Sequence, residues 1–327
     1  MILSAGTFQT PGLLEISGIG NATLLERLDI PVIKHLPSVG ENLQDHIRIQ
    51  TSYQLKSEYP SFDVLKNATR AAAELALYNA DRVSLYDYTA SGYAYFSWNV
   101  VSNDTTSKLR TLVETDKGLT SVTEKLKRSY FSPALSTKVP QLEVIFSDGY
   151  TGLRGYPAAN SSQFGIGTFA LIGVVQHPFS KGYVHIISSN ISDKPTINPN
   201  YLSHPYDLQA ATNLAKFLRK IASSKPMSDV WTEEYEPGSS VQSDDEWTKY
   251  ALANTLSIYH PIGTAALLPE KDGGVVDTKL KVYGTKGLRV VDASVIPLLP
   301  SAHLQTLVYG IAEKAAEMII AEHEEVV

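Results

Sequence analysis

The 327-residue sequence contains no cysteine. That absence removes disulfides, thiolate nucleophiles and cysteine-ligated zinc or iron–sulfur centres. There is no excess of basic residues either: 28 Lys and Arg against 34 Asp and Glu leave a formal net charge of −6. Nothing electrostatic therefore favours nucleic acid or an anionic membrane as a partner. No apolar stretch approaches the roughly 20 residues of a membrane span. The glycine fingerprint G-x-G-x-x-G, which cradles a pyrophosphate at a helix N-terminus, occurs nowhere. Gly18-Ile19-Gly20 has only its first spacing, and it follows a helical segment rather than a strand. The opening residues also lack the basic region and cleavage site of a secretory signal.

What remains is ordinary globular material, 43% hydrophobic and 19% charged, long enough for one large domain or two modest ones. Met1-Ile2-Leu3 reads as a short buried strand in which the chain begins, so Met1 is expected to be an internal methionine and the chain a fragment of a longer parent. Five N-x-[ST] sequons, at Asn21, Asn67, Asn103, Asn160 and Asn190, exceed the roughly two expected by chance and suggest a secreted, glycosylated parent.

Thr10-Pro11 reads as a helix start, a hydroxyl N-cap followed by proline at N1. Asn21 is placed to cap a second helix, Ala22 to Leu28, with a short strand at Pro31–Ile33. The stretch Ser38 to His46 is polar and irregular, a loop. Residues 61–80 have helical composition, and residues 106–129 read as one charged amphipathic helix. Strands are expected at Gln141–Phe146, Gly167–Val175 and Gly182–Ser188, forming a mostly antiparallel sheet with one face covered. Apolar spacing from Leu208 to Ile221 marks a helix opened by Asp207. Asp244–Leu256 and Gln305–Ala321 are further helices, with short strands at Val275-Val276 and Leu288–Val291 between them. Ile296 to Pro300 is a rigid proline connector. The aromatic run Tyr86, Tyr88, Tyr93, Tyr95, Phe96 and Trp98 is either core packing or one wall of a substrate pocket.

Two stretches carry a family resemblance. GTFQTPGLLEISGIG (Gly6 to Gly20), followed by NLQDH (Asn42 to His46), resembles the second signature of the glucose–methanol–choline (GMC) oxidoreductases. The C-terminal set YHPIGTA (Tyr259 to Ala265), GLRVVDASVIP (Gly287 to Pro297) and HLQTLVYGIAEKAA (His303 to Ala316) is similar to the catalytic end of that family, as in aryl-alcohol oxidase and glucose oxidase. The resemblance implies an α+β fold: a substrate domain with an antiparallel sheet and helices on one face, plus an incomplete Rossmann-like FAD-binding domain. It implies domains at residues 1–46 (remnant of the FAD domain), 47–269 (substrate domain) and 270–327 (return to the FAD domain). The family's first signature and its nucleotide-binding glycines have no counterpart in this sequence.

By the same resemblance the cofactor is FAD and the substrate a small-molecule alcohol. His260 and His303 are the implied catalytic pair. His260 is the expected proton acceptor, because an unperturbed imidazole is mostly neutral at pH 7. His303 is expected to orient the alcohol oxygen near the flavin pyrimidine edge, with roles that the two histidines could share or exchange. Asp292, Ala293, His303, Leu304 and Thr306 are the implied flavin contacts, the last three at the start of a helix whose free N–H groups suit an electron-rich ring. His35, His46, His177, His185, His204 and His323 show no metal-ligand spacing and read as structural or solvated. Two other readings stay open: a lyase or cyclase that keeps flavin without net redox turnover, and a truncated chain unable to bind FAD alone.

Overall fold

One antiparallel sheet organises the middle of the chain, and helices pack against one of its faces. The computed structural model describes residues 1–88, 91–161 and 164–324. In chain order the elements begin with β1 (Ile2–Leu3), α1 (Gly6–Ile16), β2 (Ile19–Gly20), α2 (Ala22–Arg27), β3 (Lys34–His35) and β4 (Ile47–Leu55). Next come α3 (Ala68–Asn79), β5 (Ser91–Phe96), α4 (Asn103–Glu114), α5 (Val122–Ser129), β6 (Leu142–Asp148), β7 (Thr168–Val175), β8 (Tyr183–His185) and β9 (Thr196–Asn198). The chain ends with α6 (Pro205–Ala222), β10 (Trp231–Glu236), α7 (Asp244–Asn254), β11 (Leu256–Ser257), β12 (Arg289–Val290) and α8 (Gln305–Glu324).

The main sheet runs β10-β4-β7-β6-β5, with β11 pairing onto β4. Its central strand β7 is buried at every residue. On one face Phe169, Leu171 and Val175 share a core with Leu214 and Leu218 of α6 and Leu109 and Val113 of α4. Gly173 permits that approach: a Cβ there would stand 2.4 Å from Leu214 Cγ. The opposite face is fixed by register. Tyr95 pairs with Glu143, which pairs with Val174, and Tyr93 pairs with Ile145. Because strand side chains alternate, Tyr93, Tyr95 and Glu143 all point away from α6.

A second core joins the two ends of the chain. Leu14, Ile19, Leu36 and Val39 pack against Val275, Val276, Val290, Val295 and Ala315. β1 pairs in parallel with β12, Ile2 opposite Arg289.

Several expectations are corrected. Thr10-Pro11 does not start α1; the helix begins at Gly6 and Pro11 lies inside it. A mid-helix proline leaves the carbonyl four residues back without its donor, a defect of about 3 kcal/mol. Here that carbonyl belongs to Thr7, and Thr264 Oγ1 donates to it at 2.7 Å. The strand at Ile2–Leu3 forms, but Ile2 is exposed, because among the described residues its only strand neighbour is β12. Residues 106–129 are two helices rather than one. Ser121 and Glu124 form a reciprocal capping box that restarts the chain as α5. β8 pairs with β9 outside the main sheet, and the strand near Pro31 sits later, at Lys34–His35. Asp207 lies inside α6, whose N-cap is His204; the Asp207 carboxylate instead accepts from the backbone N–H groups of Phe179 and Ser180 at 2.7 Å each.

Candidate active site

His260 and His303 meet, as the sequence motifs imply. Their ring centroids lie 4.8 Å apart with the planes at 72°, and both line a cleft of about 540 Å³ together with Thr7, Ala293, Leu304 and Val308. No regular element carries either ring, so neighbouring segments must hold them.

His260 follows Tyr259, whose φ of +65° lies in the left-handed region that a bulky residue occupies only where its surroundings enforce it. Here the enforcement comes from Asp45. Its Oδ1 accepts from the His260 backbone N–H at 2.9 Å, and its Oδ2 accepts from Tyr201 Oη and Ser257 Oγ at 2.5 Å each. Burial lifts the Asp45 carboxyl above its usual range, although these hydrogen bonds favour the charged form. Beneath the loop, Thr7 Oγ1 of α1 donates to Pro261 O at 2.8 Å.

The proline connector is held by the same loop. Gln44 Nε2 donates to Pro297 O at 2.9 Å and His46 Nε2 to Pro300 O at 3.1 Å. Further along, Ser301 Oγ donates to Pro140 O at 2.7 Å and contacts His177 Nε2 at 2.9 Å. His303 is thereby presented from a segment fixed at both ends.

On the sheet side, His303 Nε2 lies 2.9 Å from Glu143 Oε1. Glu143 is fully buried and also accepts from Gln176 Nε2 at 3.1 Å and from the Tyr95 hydroxyl. The Tyr93 ring meets His303 edge to face at 5.1 Å. The aromatic run therefore divides. Tyr93 and Tyr95 border the histidines, whereas Trp98 is core, its indole donating to Tyr206 Oη at 3.1 Å. Tyr88 is exposed, and residues 89 and 90 lie outside the described part.

Burial, and then the neighbouring His303, push His260 down to about 4. It is thus neutral at pH 7 with a lone pair free to accept a proton. His46 is pushed well down by burial and by His260, and His177 to about 3, chiefly by burial.

The other implied site residues divide by environment. Ala293 and Leu304 line the cleft. Thr306 is exposed in the first turn of α8 and is not among the cleft-lining residues. The Asp292 carboxylate is fully engaged by protein: Oδ2 accepts from Gly6 N and Thr10 Oγ1, Oδ1 from Ser294 N and Oγ. Only its backbone remains to face a ligand.

Sequence reasoning missed Glu143, Asp45 and His46 as parts of the site. Asp45 and His46 are visible in NLQDH, a stretch that carries the family resemblance, where His46 reads as structural or solvated. Glu143 sits in an apolar strand, and a lone acid at a buried strand position was the available signal. Among the other histidines, His35 accepts from Ala22 N, His204 caps α6, and His185 bridges Glu15 and Glu41. The expectation for His323 lies outside the described side chains. Among the described residues no cluster has the make-up of a metal site, and no helix is long and apolar enough to cross a membrane.

Residues 1–48 and 178–312 match the N-terminal and C-terminal models of the GMC oxidoreductase family. The GMC oxidoreductase family protein Mala s 12 of Malassezia sympodialis is 33% identical over 323 residues, 98% of this chain and 49% of that protein. Patulin synthase of Aspergillus clavatus is 31% identical, over 97% of this chain and 48% of that protein. Among solved structures, formate oxidase from Aspergillus oryzae superposes with a TM-score of 0.82 at 29% identity, covering 100% of this chain and 55% of that one. A fungal aryl-alcohol oxidase gives 0.78 at 30%, covering 99% and 55%. The chain belongs to the GMC oxidoreductase family. It spans about half the length of the curated relatives it matches.

Proposed function

We propose that this chain supplies the proton-handling half of an FAD-dependent alcohol oxidoreductase. The carrying observation is the neutral His260 beside His303 at the mouth of a cleft with an apolar wall. Ala293, Pro261, Leu304 and Val308 offer a surface for a flat ring, and the free N–H groups that open α8 suit its polar edge. These residues fit the ring end of FAD; no glycine fingerprint in the chain would hold its pyrophosphate. Bound flavin would supply the hydride acceptor.

His260 accepts the hydroxyl proton as the alcohol O–H bond breaks, a task matched to a base that is already neutral at pH 7. His303 orients the oxygen, with its Nε2–H directed to Glu143. That contact keeps its ring from turning. Tyr93 gives the substrate side an aromatic surface. Proton acceptance is lost as pH falls through about 4, where His260 becomes charged.

The test is the visible spectrum of the purified chain after incubation with FAD and gel filtration, followed by anaerobic addition of an aromatic primary alcohol. Retained flavin that bleaches in the wild type but not in His260→Ala supports the reading. Retained flavin that no alcohol bleaches favours a non-redox lyase or cyclase. A colourless protein means that the activity requires the rest of a longer parent.

A further inference from the structure

The nitrogen of His260 that takes the proton is decided by a residue outside the pair. A histidine beside a reacting oxygen is useful as a base only if its free lone pair faces the substrate, and the two neutral tautomers place that lone pair on opposite sides of the ring.

The hydrogen bonds around His46 select one tautomer. His46 is completely buried. Its Nε2 lies 3.1 Å from the carbonyl oxygen of Pro300. A carbonyl oxygen only accepts, so the His46 proton sits on Nε2. A neutral ring protonated at Nε2 has its lone pair on Nδ1. That atom lies 2.9 Å from His260 Nδ1, and two ring nitrogens share a hydrogen bond only when one of them carries a hydrogen. The donor must therefore be His260 Nδ1–H, which leaves Nε2 of His260 unprotonated. The rings meet edge to face, with centroids 5.1 Å apart and planes at 74°, so the contact is directional rather than stacked.

We infer that His46 is a positioning residue that fixes His260 as the Nδ1–H tautomer and thereby makes Nε2 the proton-accepting atom. Its functional meaning rests on the reading above; its structural content does not. The chain of bonds also has a dead end. When His260 gains a proton at Nε2, its Nδ1–H stays directed at His46, and the carbonyl beyond His46 cannot hold a proton. The proton is therefore not drained through His46.

Long-range proton–nitrogen NMR of the full chain labelled with [15N]histidine tests this without flavin or substrate. At pH 7 the His260 signal, assigned by its loss in His260→Ala, is expected to show a protonated Nδ1 and a bare Nε2. His46→Phe keeps the ring volume and removes the acceptor, so His260 should revert to the Nε2–H form that unconstrained histidine favours. His46→Asn returns an acceptor oxygen near the position of Nδ1 and should restore the Nδ1–H form. A wild-type His260 protonated at Nε2 overturns the inference even if neither His46 variant folds, and so does a His46→Phe spectrum with the tautomer unchanged. In flavin-loaded enzyme, kcat is expected to fall about 10- to 100-fold in His46→Phe with KM little changed, and to recover in His46→Asn. Failure of this chain to retain flavin would mean that the activity requires the rest of a longer parent, and would leave the tautomer result standing.

Discussion

Asp292 caps a helix that starts 286 positions earlier in the chain: its Oδ2 accepts from Gly6 N at 2.9 Å and from Thr10 Oγ1 at 2.5 Å. α1 has no side-chain cap of its own, because Ala5 stands at its N-cap. The carboxylate does what a capping Ser or Asp normally does from the adjacent position, and its charge also complements the helix dipole.

Replacing Asp292 by Asn keeps the volume but puts an NH₂ group among donors. We expect a loss of about 2–3 kcal/mol in urea unfolding, since bonds to a charged group are stronger and a mismatched buried donor stays unpaired. Thr10→Val removes one of the four bonds and should cost about 1 kcal/mol. An Asp292→Asn midpoint equal to that of the wild type would show that the cap contributes nothing.

Gly173 lies where α6 rests on the centre of the sheet. An alanine Cβ would meet Leu214 Cγ at 2.4 Å, and Leu214 is fully buried. Gly173→Ala should destabilise by about 1–3 kcal/mol through overpacking. Combined with Leu214→Ala, the two losses should be far from additive, because the second change opens space for the first. Simple additivity in thermal melts would contradict the close approach.

His185 gives the stability of the chain a dependence on alkaline pH. Burial disfavours its charge, but hydrogen bonds to Glu15 and Glu41 win and raise it to about 9. The Nδ1 contact to Glu15 is 2.6 Å and the Nε2 contact to Glu41 is 3.1 Å. A histidine raised on folding stabilises fully below its unfolded value of about 6.5, and that stability is lost as pH rises from there through about 9. Relative to His185→Gln, the wild type should be more stable by on the order of 2 kcal/mol near pH 6, after allowing for solvent screening at the exposed Glu41. The difference should shrink toward pH 9.5. Denaturation curves at both pH values decide it, and a gap that does not change with pH would sink the argument.

The sequence carried the helices whose periodicity is long, α6, α7 and α8, and the two histidines that its C-terminal motifs name. It hid two kinds of feature. β4 passes through the middle of the sheet, yet Gln50, Thr51 and Ser52 are buried there, so its burial pattern is invisible to a hydrophobicity count. α1 was misplaced because Pro11 looks like a start signal, and only the distant Thr264 makes an interior proline tolerable. Glu143 was illegible for the same reason. Its partner His303 is 160 positions away; a lone acid among Leu, Val and Ile hints at a buried partner, but nothing local names which residue it is.

The clamp between Thr10 and Asp292 also has a consequence for synthesis. The two residues are separated by 282 positions, and a ribosome adds about 5–20 residues per second. For on the order of 15–60 s α1 therefore exists without its cap. The nascent chain carries that uncapped helix until Asp292 emerges, so chaperone binding to α1 during translation should end once Asp292 leaves the tunnel.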